Sequence, residues 1–176
     1  HGGYVNTFGQ TINPSDHELL KADPHQLGSL LDLKHLPDSL LINNYKKMAN
    51  SKEGVARLSK ADSISMANLK ILSDAGVLIA TGTDAGNIGT LHASSYLAEL
   101  QTMKKSGMGN WKILQASTIN GAKILDKENE FGTVGIGKKA NLIILDDNPI
   151  EAIENITKIH RVINKGVVFN PDELIK

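Results

Sequence analysis

Cysteine is absent from the 176-residue sequence. That excludes a disulfide framework, a thiolate zinc site and a cysteine nucleophile together. It also leaves redox compartment unreadable. An excess of either charge is missing too, since 19 Lys and Arg balance 19 Asp and Glu. A net charge of zero gives no electrostatic case for nucleic acid or an anionic membrane as partner. The longest apolar runs are four or five residues, far below the about 20 needed to span a bilayer as a helix. The six histidines form no His-x-His and no His-x-x-x-His pair, so no local pair can build a metal site. No G-x-G-x-x-G, no G-x-x-x-x-G-K-[ST] and no G-x-S-x-G occurs, which removes the usual phosphate cradles and the serine elbow.

What is present is ordinary for a globular chain: 40% hydrophobic and 22% charged residues. A chain of this size buries roughly 70% of its unfolded surface, enough for a real core. The first residue is His1 rather than Met. The expectation is a piece cut, processed or expressed from something longer, and no compartment is assigned.

Residues 1–16 read as a polar loop whose only large apolar groups are Tyr4, Val5 and Phe8. Leucines cluster from Ser15 to Leu36, broken by Pro24 and Pro37 into short helices. Residues 38–60 look helical, with Gly54 leaving the continuation open. Ser63 or Ser65 is the expected cap of a next helix carrying Met66, Leu69 and Leu72, with Gly76 as its left-handed stop. Val77-Leu78-Ile79-Ala80 follows, a short non-alternating run that predicts a buried parallel strand. A helix is expected over about 92–105, ended by Gly107, and another after Asn110 as cap, running through Ile113 to Leu125. Trp111 is expected to pack inward. Beyond Asp126 the period changes. Leu142-Ile143-Ile144-Leu145 predicts another buried strand, and residues 159–163 and 167–169 a hairpin around a three-residue loop, Asn164-Lys165-Gly166. Residues 140–145 and 159–169 should therefore form one β unit.

Asp84 is the candidate site residue. It lies just past the end of the predicted strand at 77–80, between Gly82 and Gly86. In α/β folds the carboxyl ends of strands gather ligands and catalytic groups. Local sequence alone favours the plainer role, a cap for a turn or the following helix. His92 follows eight residues later and reads as a cap or a supporting group at the same strand end rather than a ligand. His17, His25, His35 and His160 read as solvated.

Several segments together resemble one family. Asp74-Ala75-Gly76, then residues 77–80, then Thr81-Gly82-Thr83-Asp84-Ala85, resemble the last barrel strand of metal-dependent amidohydrolases. Leu91-His92 through Glu99-Leu100-Gln101-Thr102-Met103 resembles the helix after that strand. Residues 115–125, QASTINGAKIL, are similar to the family's penultimate helix, and residues 132–145, GTVGIGKKANLIIL, to the segment re-entering its small β-sandwich. The family usually carries Asp at the Asn141 position, a change that touches a structural turn. The match runs in consecutive order over 66–170, while residues 1–60 match loosely, as a loop and helices around the seventh barrel strand. The nearest flavour is the imidazolonepropionase-like and prolidase-like branch.

The resemblance implies an α/β fold: the C-terminal part of a (β/α)₈ TIM-like barrel over residues 1–126, and the C-terminal strands of the small amidohydrolase β-sandwich over 127–176. A complete barrel takes about 250 residues, and this chain holds about a quarter of the strands. The family's His-x-His, its bridging carboxylated lysine and its two further histidines belong upstream and are not here. The implied function is hydrolysis of a non-peptide C–N bond, or a dipeptide-like amide, by metal-activated water. Asp84 is implied as catalytic residue and metal ligand, accepting a proton from that water and passing it to the leaving nitrogen. His92 and Tyr4 are placed beside the site or on a substrate loop. The implied cofactor is a divalent metal, zinc, as one or two ions in the complete enzyme, absent or weakly held in this chain. The implied partners are a small amide, cyclic amide or dipeptide-like substrate, and copies of the chain or the missing barrel half. Two alternatives stay open: a phosphoester or organophosphate hydrolase on the same fold, and a non-catalytic binding or assembly module keeping the amidohydrolase tail.

Overall fold

A computed structural model describes residues 16–21, 24, 25, 27, 43, 44, 47, 51–85, 91, 92 and 95–174. The chain divides into two compact units, His1–Ala67 with Gly82–Tyr96, and Asn68–Thr81 with Leu97–Lys176. Helix α1, Asp16–Lys21, belongs to the first. Helix α2, Lys52–Asp74, is one uninterrupted element that begins in the first unit and ends in the second.

The start of α2 corrects the expected cap. Ser51 accepts the Gly54 N–H on its Oγ at 2.9 Å, and its carbonyl takes the Val55 N–H at 2.9 Å. This is an N-cap, worth about 1 kcal/mol. Ser63 instead donates its hydroxyl to the Ser59 carbonyl at 2.8 Å, a back-bond available to a serine inside a helix. The end is as expected. Gly76 takes φ 77, Val77 N–H returns to Leu72 and Gly76 N–H to Ser73, which closes α2 with a Schellman motif.

Helix α3, Ser95–Lys105, is stopped by Gly107 at φ 95. Met108 N–H bonds the Met103 carbonyl, and both methionine side chains are buried, the two positions that carry apolar residues in such a cap. The long helix expected next is two short ones: α4, Asn110–Ala116, and α5, Ile119–Ile124. Ser117 and Thr118 donate their hydroxyls to the carbonyls of Ile113 and Leu114 at 2.9 and 2.7 Å. Such back-bonds bend helices, and the Thr118 backbone leaves the helical region. Gly109, not Asn110, is the N-cap position of α4. Asn110 is buried and donates Nδ2 to the Ile150 carbonyl at 2.8 Å, a tether across 40 residues of chain. Among the described residues Leu100, Ile113 and Ile153 are the largest fully buried side chains. Trp111 is exposed rather than packed.

The β unit forms as expected. β1, Leu142–Leu145, β2, Ile159–Asn164, and β3, Val167–Phe169, make an antiparallel sheet in the order β1-β2-β3. Leu142 pairs with Ile163 and Ile163 with Val168. A bulge between Ile144 and Leu145 leaves His160 as the extra residue. His160 is solvated, with Nδ1 3.0 Å from Asp146. The hairpin loop is shorter than expected. Asn164 pairs with Val167, and Lys165 and Gly166 take φ 51 and 84, a two-residue turn of the I′ kind. Asn141 Oδ1 accepts the Lys165 N–H at 2.8 Å, an acceptor role that an aspartate at this position would share.

Two apolar runs are less buried than expected. Ile143 and Ile144 keep 60% and 45% of their surface accessible, and Val77 and Leu78 about half. Apolar sequence marks what can be buried, whereas burial itself needs covering layers on both faces. Residues 77–84 are neither helical nor paired in a ladder. A strand is defined by its neighbours, and among the described residues none pairs with this segment before a single bridge at Ala85.

Candidate functional site

The segment that leads to Asp84 leaves the Gly76 cap of α2 and runs past the break between α4 and α5. Two hydrogen bonds fix it there. Asn120 Nδ2 donates to the Ile79 carbonyl at 2.8 Å, and Thr81 N–H donates to the Ala116 carbonyl at 3.2 Å. Ala116 ends α4, where carbonyls lack intrahelical partners and look outward. The sequence predicts continuous helix over 115–125, which hides Asn120 in its middle, whereas the helix breaks between Ala116 and Ile119. The Ser117-Thr118 pair was the available signal.

Asp84 is exposed and takes φ 54. This left-handed conformation costs an L-residue about 1–2 kcal/mol, less for aspartate than for most. Residues held this way cluster at active sites and ligand clamps. Helix α3 begins at Ser95, so Asp84 does not cap it. Leu91 is buried and accepts the Ser95 hydroxyl on its carbonyl, while His92 sits exposed in a turn ahead of α3. Tyr4 lies outside the described residues.

Among the described residues no three His, Asp or Glu come together as a metal-holding group. A catalytic zinc takes three protein ligands and a water. Asp84 supplies one carboxylate, so the described residues alone do not fit the metal.

A cluster of paired charges lies elsewhere. Glu130 sits between Lys127 at 2.6 Å and Lys139 at 2.5 Å. Hydrogen bonds from these two ammonium groups hold its carboxyl down from 4.5 to about 2. The trio pins the loop after α5 and is a surface ion-pair network. A cleft of about 230 Å³ opens at the start of the 77–84 segment, lined by Ser73, Asp74, Val77, Leu78, Lys112 and Asn120 among others, and it does not include Asp84. Within it Lys112 donates to the Ser73 carbonyl at 2.8 Å, and Asp74 pairs with Lys70.

A model of the amidohydrolase family matches residues 21–169, and the chain belongs to that family. Among its relatives, the 5-methylthioadenosine/S-adenosylhomocysteine deaminase of Moorella thermoacetica is 31% identical over 109 residues, covering 56% of this chain and 26% of that protein. The imidazolonepropionase of Thermoanaerobacter pseudethanolicus is 32% identical over 87 residues, 46% of this chain and 19% of that one. Of solved structures, a Xaa-Pro dipeptidase with methionine bound in its active site superposes with a TM-score of 0.53 at 32% identity, over 61% of this chain and 25% of the other. A putative prolidase from Bifidobacterium longum gives 0.55 at 20% identity, over 92% of this chain and 40% of the other, a likeness of fold alone. The chain thus spans about a quarter or less of the curated relatives it matches.

Proposed function

We propose that this chain is the C-terminal portion of a metal-dependent amidohydrolase. Residues 1–126 contribute to a (β/α)₈ barrel, and residues 127–176 supply strands to a small β-sandwich. The whole enzyme hydrolyses a C–N bond in a small amide, cyclic amide or dipeptide-like substrate. The observation that carries the reading is the coverage: a family match over residues 21–169 that meets only 26% of the deaminase and 19% of the imidazolonepropionase. The names of the relatives, deaminase, imidazolonepropionase and Xaa-Pro dipeptidase, support the bond class.

Asp84 is the site carboxylate of this portion, both metal ligand and catalytic group. Ionised, it holds one coordination bond or takes one proton, and its exposed left-handed position supports that role. His92 and Tyr4 stand beside it or on the substrate loop. The metal, zinc as one or two ions, is held by the complete enzyme. A single carboxylate retains it weakly or not at all, so this chain by itself is inactive. The half-exposed Val77, Leu78, Ile143 and Ile144 support association with another copy or with the rest of the enzyme, since uncovered apolar faces and strand edges recruit partners.

The test is turnover of amide substrates with added zinc, comparing the chain with Asp84→Ala, alongside its mass in solution. No metal-dependent turnover and a mass above that of one chain are expected. Turnover that disappears in Asp84→Ala would show a site complete within these residues. A monomer with no exposed apolar surface would count against an interrupted barrel.

A further inference from the structure

We infer that the Asn120-Gly121 pair is a site of spontaneous covalent modification, at which loss of ammonia from the Asn120 side chain permanently breaks the link between α5 and the Ile79 carbonyl. Every residue involved lies in the second compact unit, and nothing in the reaction depends on the proposed activity.

Asparagine followed by glycine occurs once in the 176 residues. The backbone nitrogen that follows an asparagine can attack that residue's own Cγ. A side chain on the following residue crowds the five-membered ring that forms, and glycine has none. The Gly121 nitrogen gives up its proton, the N–Cγ bond forms, and the Cγ–Nδ2 bond breaks. Nδ2 takes up one proton and leaves as ammonia. Water then opens the cyclic imide at either carbonyl. One opening leaves aspartate. The other leaves isoaspartate, whose backbone runs through the former side chain and is one methylene longer. Water is the co-reactant, and no electrons are transferred.

The local structure leaves the nucleophile available. Asn120 and Gly121 are half-buried in the first turn of α5, where N–H groups lack intrahelical acceptors. Thr118, at the N-cap position, makes no side-chain cap bond, and its hydroxyl turns back to the Leu114 carbonyl at 2.7 Å. α5 has six residues, well below the about 12–15 at which a helix stands without tertiary support. Such a short turn opens locally rather than with the whole fold.

One bond opposes the reaction. Asn120 Nδ2 donates to the Ile79 carbonyl at 2.8 Å, and Cγ is free to meet the Gly121 nitrogen only while that bond is open. The same bond is what the reaction destroys. An asparagine amide donates, whereas an ionised carboxylate only accepts. A carboxylate set against the Ile79 carbonyl places acceptor against acceptor, so the link does not re-form.

The experiment ages the full chain at physiological temperature and mildly alkaline pH. Peptide mass mapping with isoaspartate detection reads the product, and carbonyl ¹³C NMR of the same sample reads Ile79. Asn120 should convert at least about tenfold faster than Asn141 or Asn164, which are more exposed but precede Leu142 and Lys165. The native Ile79 resonance should be replaced at the rate at which product appears. A Cβ at position 121 meets nothing within 4 Å, so Gly121→Ala should fold and slow the conversion by about tenfold or more. Asn120→Asp should show the aged Ile79 resonance from the start. If that variant does not fold, the aged wild-type sample carries the same comparison. Three results each overturn the inference: no product at Asn120 by the time a urea-unfolded sample has fully converted, equal rates in wild type and Gly121→Ala, or an Ile79 resonance that stays in place as product accumulates.

Discussion

Gly132→Ala tests how the loop after α5 is seated. Gly132 takes φ 95, and a Cβ built there would stand 2.7 Å from Ala122 Cβ, 3.0 Å from Ile119 Cα and 3.4 Å from the Thr118 carbonyl oxygen. The first contact is with a buried methyl and the other two are with backbone, so no flexible side chain can swing aside. Two costs add. Positive φ costs an alanine about 1 kcal/mol or more relative to glycine. Overpacking against a buried helix face costs about 1–3 kcal/mol. A loss of about 3 kcal/mol is expected, which lowers Tm by about 9 °C in a chain of this length. The assay is urea and thermal unfolding, with the urea midpoint falling at unchanged slope. Gly135→Ala is the control in the same loop. Its Cβ would meet only Lys138 side-chain carbons, the nearest at 3.7 Å, and its φ is not positive, so it should stay within about 0.5 kcal/mol of wild type. Gly132→Ala behaving like Gly135→Ala would refute the close approach of this loop to α5.

Asp126 sits at φ 54 where α5 ends, with Lys127 N–H returning to the Ala122 carbonyl. Asp126→Gly removes the left-handed penalty and an anion from a helix C-terminus, so it should stabilise the chain by about 1 kcal/mol in urea unfolding. Glu130 gives a pH signature. Its carboxyl is lowered from 4.5 to about 2 by Lys127 and Lys139, so the stabilisation is complete above about 4.5 and is lost as pH falls through about 2. Thermal melts of Glu130→Gln should lie below wild type at neutral pH, with the gap closing between those values and narrowing in high salt. A gap that persists at pH 2 would mean that the pairing with the two lysines is not its source.

The helix stops at Gly76 and Gly107 and the two-strand hairpin around Gly166 were legible in the sequence. Their causes are local: a glycine that tolerates positive φ, a change of period, a turn residue at a fixed offset. The family was legible for a related reason, since short segments kept both their residue order and their spacing over 66–170. Asp84 could be singled out as a residue type after an apolar run, but nothing local could place it at φ 54. Other features had no local cause to read. Ser51 rather than Ser63 starts α2 because capping depends on where the chain enters the helix, and each serine offered the same hydroxyl. Asn110 reads as a cap yet turns inward to Ile150, 40 residues away. Asn120 reads as mid-helix yet donates to Ile79, 41 residues back. The apolar runs at 77–80 and 142–145 declared that they could be buried, and only the arrangement of other elements decides whether they are. Hydrophobicity and turn chemistry belong to a residue and its immediate neighbours, whereas burial, long-range hydrogen bonds and strand pairing belong to surfaces that only folding brings together.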